Sequence, residues 1–175
     1  MKTYKTNIKP GSATAQKWVV KAGFFALGRT IAHLSATDDE VMREIAAWPE
    51  GYSFSMNVLP AGPCLVMEKL NNKMHFIGLD AKPDADMIVE VKNLSIAFKM
   101  IMAQLGAHDV YARHGIGVTG NIADSMKLIR IIYKAEAMLF PKILNKNILK
   151  ESPDETLQLQ VKRLKAITLG VILGK

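Results

Sequence analysis

Three groups of residues in this chain have types and spacings that could carry chemistry. Gly115-Ile116-Gly117-Val118-Thr119-Gly120 spells the dinucleotide fingerprint, in which glycines let the backbone approach a pyrophosphate at the start of a helix. That function needs a buried parallel strand just before the first glycine. Tyr111-Ala112-Arg113-His114 is a poor strand, and no βαβ unit precedes it. Gly115 and Gly117 therefore read as places where a strand passes close beneath another element. The four histidines, His33, His75, His108 and His114, lack metal-ligand spacing, and the single Cys64 follows Pro63 with no histidine near it in sequence. Asp80, Asp84 and Asp86 lack the glycine and the distal glutamate of a calcium loop, so they read as a solvated turn. No catalytic residue, metal site or cofactor is expected, and the chain is not read as an enzyme.

A chain of 175 residues, 49% hydrophobic and 22% charged, has the composition of one globular domain with its own core. Its net charge of +7 favours anionic partners. Aromatics make up only 7% of the chain and the basic residues are dispersed, which argues against nucleic acid. A lone cysteine and a polar, lysine-rich start fit a reducing cytoplasm without a secretory leader. The apolar stretch from Trp18 to Leu27 is interrupted by Lys21 and Gly23 and is far shorter than the ~20 residues a membrane span needs.

The elements that would position these residues alternate between helical and extended patterns. Ser12 is placed to cap a helix with Trp18, Val19, Ala22, Phe25, Ala26 and Ile31 on its apolar side. Thr37 and Glu40 form a capping box for a short helix that ends near Trp48, before Pro49 and Gly51. From Tyr52 the period changes to two: Tyr52, Phe54, Met56 and Val58 take one side, Ser53, Ser55 and Asn57 the other. Leu65–Leu70 and Met74–Leu79, joined by Asn71-Asn72, extend this strand into an antiparallel meander. Met87–Val91 follows a polar loop as a fourth strand, and 115–119 supplies a fifth.

Between them Asn93 caps a helix whose Leu94, Ala97, Phe98, Ile101, Met102 and Leu105 fit helical spacing up to Gly106. Asn121 caps another, with Ile122, Met126, Ile129, Ile132, Tyr133, Ala137 and Phe140 on a wide apolar face before Pro141. A last, basic amphipathic helix runs from about Asp154. It can pack on the core, cap a cavity or lie on an anionic membrane, and the sequence leaves these open. Ten methionines, four of them Met100, Met102, Met126 and Met138, give the later helices side chains that can reshape around an irregular guest.

Val118-Thr119-Gly120-Asn121-Ile122, continued by Met126-Lys127-Leu128, resembles the strand-to-helix junction of the sterol carrier protein type-two superfamily almost residue for residue. Ala85-Asp86-Met87-Ile88-Val89 is similar to that family's strand entry, and Leu94 to Gly106 sits where the family has a helix ending in glycine. The resemblance runs from about Tyr52 to Tyr133. It implies an α+β fold, a mostly antiparallel five-stranded sheet covered by helices around a tunnel for fatty acyl chains, sterols or similar lipids. The helical extensions from Ser12 to Trp48 and beyond Pro141 depart from the compact family domain, and Leu-Gly-Lys at the end is not a peroxisomal address. On this reading Phe98, Ile101, Met102 and Leu105 of one helix and Met126, Ile129 and Tyr133 of the next line the tunnel. The expected function is binding, transfer or presentation of a lipid-like molecule. The alternatives are an accessory or scaffold role in a complex acting on a lipophilic metabolite such as a quinone, or an enzyme using the glycine run and His114.

Overall fold

A computed structural model describes residues 10–80 and 84–139. The expected C-terminal helix from Asp154, and Phe140, lie outside the described residues. Helix α1 (Pro10–Thr37) is followed by α2 (Asp39–Ala46), β1 (Ser53–Val58), β2 (Cys64–Leu70), β3 (Lys73–Gly78) and β4 (Met87–Val91). Then come α3 (Leu94–Ile101), α4 (Ala107–Ala112), β5 (Ile116–Thr119) and α5 (Ile122–Leu139). Among the described residues no helix is long and apolar enough to cross a membrane.

The five strands form one sheet in the order β3-β2-β1-β4-β5. Every pair is antiparallel except β1 and β4, which run parallel. The β2–β3 turn has Asn71 at φ 51° and Asn72 at φ 61°, the left-handed pair that a tight two-residue hairpin requires. Register places Phe54 beside Met67 and Met87, and Met56 beside Leu65 and Val89. These residues are all buried and form the inner face of the sheet. The opposite side of β1 is buried as well, with Ser53 at 1% and Ser55 at 0% exposure, so β1 is not the half-buried strand its alternation predicts. Asp86 accounts for part of this: although exposed in the bend before β4, it accepts through Oδ2 from Ser53 N at 2.8 Å and Ser53 Oγ at 3.0 Å, tying the entry of β4 to β1.

Helix α1 turns inward a stripe that shares Ile31 with the expected face and otherwise differs from it. Val20, Phe24, Leu27, Ile31 and Leu34, spaced three and four apart, are buried, whereas Trp18, Val19 and Phe25 are exposed. The stretch is apolar almost all round, so its pattern does not single out the buried stripe. The helix begins at Pro10, which leaves Ser12 inside it rather than at its cap. Asp38, not Thr37, caps α2: its Oδ1 accepts from Glu40 N at 3.0 Å and Val41 N at 3.1 Å, while the Thr37 hydroxyl donates back to His33 O. Asn93 caps α3 and Asn121 caps α5, as their positions predict. Helix α3 is a turn shorter than expected because Met102 is its C-cap and Ala103 adopts φ 57°. Gly106 is consequently the N-cap of α4, a short helix that the sequence pattern does not announce.

Candidate functional site

Where α1, α3, α4 and α5 stand over the β1-β4-β5 end of the sheet they enclose a cavity of about 810 Å³. This lies within the range of roughly 300–1,000 Å³ typical of small-molecule sites. Its floor is the inner face of the sheet, with Met56, Val89, Val91, Ile116 and Val118. These side chains alternate along their strands, so one pleat direction supplies the floor. Helix α1 adds Gly23, Phe24, Ala26 and Leu27. Gly23 is there because α3 comes close: a Cβ on it would meet Ile101 Cγ2 at 2.5 Å. Ala97, Met100 and Ile101 of α3 complete that side.

Helix α5 provides the longest wall. Ile122, Met126, Ile129, Tyr133, Glu136 and Leu139 follow one another at intervals of three and four residues and all border the cavity. Leu128, Ile131 and Ala135, the fully buried residues of the helix, are offset from this row and anchor it to the core. Ion pairs hold the remaining side against α2: Arg130 Nε and Nη2 donate to Glu44 at 2.6 and 2.9 Å, and Lys134 Nζ donates to Asp38 at 2.8 Å. Burial alone would raise Asp38, but the hydrogen bonds from Lys134, Val41 N and Glu40 N outweigh it and hold its carboxyl below the usual range.

Tyr111, Val118, Ile122 and Met126 border the cavity and remain exposed, at 63%, 39%, 80% and 50%. An opening rimmed by four exposed apolar residues is unusual for a surface, where such groups are normally scattered. His108 of α4 stands among them, its Nε2 3.6 Å from Asp109 Oδ2.

Of the residues expected to line a tunnel, Ile101, Met126, Ile129 and Tyr133 border this cavity, and Phe98, Met102 and Leu105 do not. The early end of α3 explains the absence of Leu105. Met102 sits at the C-cap, 45% exposed, and the chain has left the helical path before Leu105. Phe98 packs against the core instead. Met100, His108 and Glu136 border the cavity without having been expected there. Glu136 has a readable signal, since it falls three residues after Tyr133 and seven after Ile129 on the same row.

Glu136 is the carboxylate on this wall. Its Oε2 is buried and accepts no hydrogen bond, and burial pushes the carboxyl up to about 7. The nearby Tyr133 phenol is likewise raised, by burial first and then by the charge of Glu136.

The glycine run is not a phosphate loop. It lies in and beside β5, an antiparallel edge strand preceded by α4. A Cβ on Gly115 would meet Val110 Cγ1 at 2.6 Å, and one on Gly120, at φ 132°, would meet the Asp86 carbonyl at 2.9 Å. Gly117, by contrast, has ordinary room. His114 is exposed and stands off the cavity wall. Cys64 is buried, with its Sγ donating to Asn57 Oδ1. Among the described residues no group of three or more His, Cys, Asp or Glu is placed to hold a metal ion.

No protein-family model matches the chain, and no curated protein matches it. Among solved structures the chain is similar to the UbiJ-SCP2 ubiquinone synthesis protein, at 18% identity and a TM-score of 0.46, over 69% of this chain and 98% of that one. It is similar to sterol carrier protein 2 at 14% identity and a TM-score of 0.44, over 66% and 94%. It is also similar to palmitated SCP2L2 from Aedes aegypti at 16% identity and a TM-score of 0.42, over 61% and 91%.

Proposed function

We propose that this protein binds a lipid-like molecule in the cavity between α5 and the sheet and carries or presents it without transforming it. The observation that carries this reading is the wall itself: about 810 Å³ bounded by aliphatic, methionine and aromatic side chains, with polar groups confined to a few positions. Such a wall takes an alkyl chain out of water, which is worth ~0.8 kcal/mol per buried methylene. About ten methylenes would supply roughly 8 kcal/mol before ordering costs, enough for a reversible complex of about micromolar affinity. The exposed apolar rim of Tyr111, Val118, Ile122 and Met126 suits the entry of a chain from a membrane or a partner protein.

The test is uptake. Native mass spectrometry and lipid extraction of freshly purified protein should reveal a bound lipid, and the purified protein should take up a fluorescent lipid. Replacing Ile129, half-buried in the middle of the wall, with Trp should fill the cavity and abolish uptake while circular dichroism stays unchanged. A folded Ile129→Trp protein with undiminished uptake, or purified protein that takes up no lipid, would overturn the proposal.

A further inference from the structure

Glu136 is an uneconomical residue for a purely apolar container. Buried side-chain oxygens are nearly always hydrogen-bonded, and one that is not calls for an explanation. Glu136 Oε2 has none. The cations of α5 are engaged elsewhere: Lys127 with Asp124, Arg130 with Glu44 of α2, and Lys134 with Asp38 and Glu40 of α2. On α1, which packs against α5, the Arg29 guanidinium lies over the Phe25 and Phe76 rings, and burial lowers the pKa of His33. The sheet contributes apolar residues to the cavity, and α4 contributes His108 and Tyr111 at the mouth. Tyr133 is the ionisable neighbour on α5 itself.

We propose that Glu136 is the polar anchor of the cavity, accepting a hydrogen bond from the hydroxyl of a neutral long-chain lipid and discriminating against lipids with a carboxylate head. The proposal rests on the cavity-binding reading above and names the class of ligand. An ionised carboxylate accepts readily from an O–H group, and in an apolar space such a charge-assisted bond is stronger than in water. A second carboxylate in the same space brings two like charges together, which is tolerated only if one of them holds a proton. Because burial lifts Glu136 towards neutrality, it can supply that proton in mildly acidic solution and not in mildly basic solution. Discrimination therefore grows as pH rises.

Hexadecanol and palmitate, which share a chain and differ in the head, should compete with the neutral dye Nile red for the full-length protein at about pH 6 and about pH 8, on either side of the raised value. Hexadecanol should bind at both, and no more weakly at the higher pH where Glu136 is ionised, while palmitate weakens by about tenfold there. In Glu136→Gln the ratio of the two affinities should change with pH far less than in the wild type, and any titration of palmitate itself, being common to both proteins, cancels in that comparison. If the wild-type ratio does not change with pH, or if Glu136→Gln keeps the wild-type change, the anchor is wrong while the cavity stands. If neither lipid displaces the dye, the cavity reading fails and the anchor with it. Should Glu136→Gln not fold, Glu136→Leu gives the same comparison, and a wild-type ratio that does not change with pH overturns the anchor without any variant.

Discussion

The indole Nε1 of Trp48 donates to Oδ1 of Asp124 over 3.0 Å, joining the end of α2 to the first turn of α5. Trp48 is buried and stacks on Tyr52 with ring centroids 5.0 Å apart. Asp124 also accepts from Lys127 and sits where the helix dipole favours a negative charge. Together with burial, Asp124 and then Asp86 push the Tyr52 phenol up to about 12. This junction fixes where the wall of the cavity begins, though none of its three residues borders the cavity.

Replacing Trp48 with Phe should therefore cost about 2 kcal/mol, from lost packing and a lost hydrogen bond to a charged acceptor. Lipid uptake at low temperature should be preserved. Urea unfolding together with a dye-binding titration checks both parts, and a variant as stable as the wild type would show that the junction contributes little.

Gly23→Ala sets two effects against each other. Alanine in a helix interior is favoured by about 1 kcal/mol. The new methyl would meet Ile101 Cγ2 at 2.5 Å, and the cavity that this side chain borders gives it room to swing aside at the expense of guest space. Stability should change by less than about 1 kcal/mol, while lipid affinity falls. Thermal unfolding and uptake measured on one preparation separate the two.

Glu136 should make the lipid-free protein less stable as pH rises. Its folded-state value of about 7 lies above the ordinary 4.5, so its contribution is complete below about 4.5 and is lost on the way to about 7. The loss amounts to about 3 kcal/mol if the full shift is realised. His33 acts in the opposite sense, because its lowered value means that the fold disfavours its protonation as pH falls through its ordinary range. The informative quantity is therefore the difference between wild type and Glu136→Gln, which should be small near pH 5 and favour the variant near pH 8. Urea midpoints at the two pH values measure it.

Asp38 should contribute in the acid range. With a folded-state value below 3.8, its stabilisation is present above 3.8 and disappears as pH falls through the folded value. Asp38→Ala should remove the α2 cap and the Lys134 contact together, lowering stability by about 1–2 kcal/mol at neutral pH and by little in strong acid. An acid titration of the unfolding midpoint compares the two proteins.

The strands are legible in the sequence because alternation, Asn71-Asn72 and the polar loop before Met87 act locally. The parallel pairing of β1 with β4 is not, since register between distant segments leaves no mark within either. The helix caps at Asn93 and Asn121 follow from side-chain chemistry at a single position. The buried stripe of α1 stays hidden because Trp18, Val19 and Phe25 are as apolar as Val20, Phe24 and Leu27, and only tertiary contact chooses between them. The left-handed Ala103 that ends α3 has no signature either, and it takes Leu105 off the helical path. Residues 126, 129 and 133 are readable as one helical row, and Glu136 falls on the same row despite its charge.

The parallel contact between Phe54 and Met87 also bears on the order in which the molecule assembles. The β1-β2-β3 meander closes through short loops, whereas β4 must return from far along the chain before β5 and α5 can follow. Contacts of that range form slowly, so the hollow exists only after the last of them. A guest held there should lengthen the lifetime of the finished protein by slowing its unfolding, and leave its refolding rate where it was.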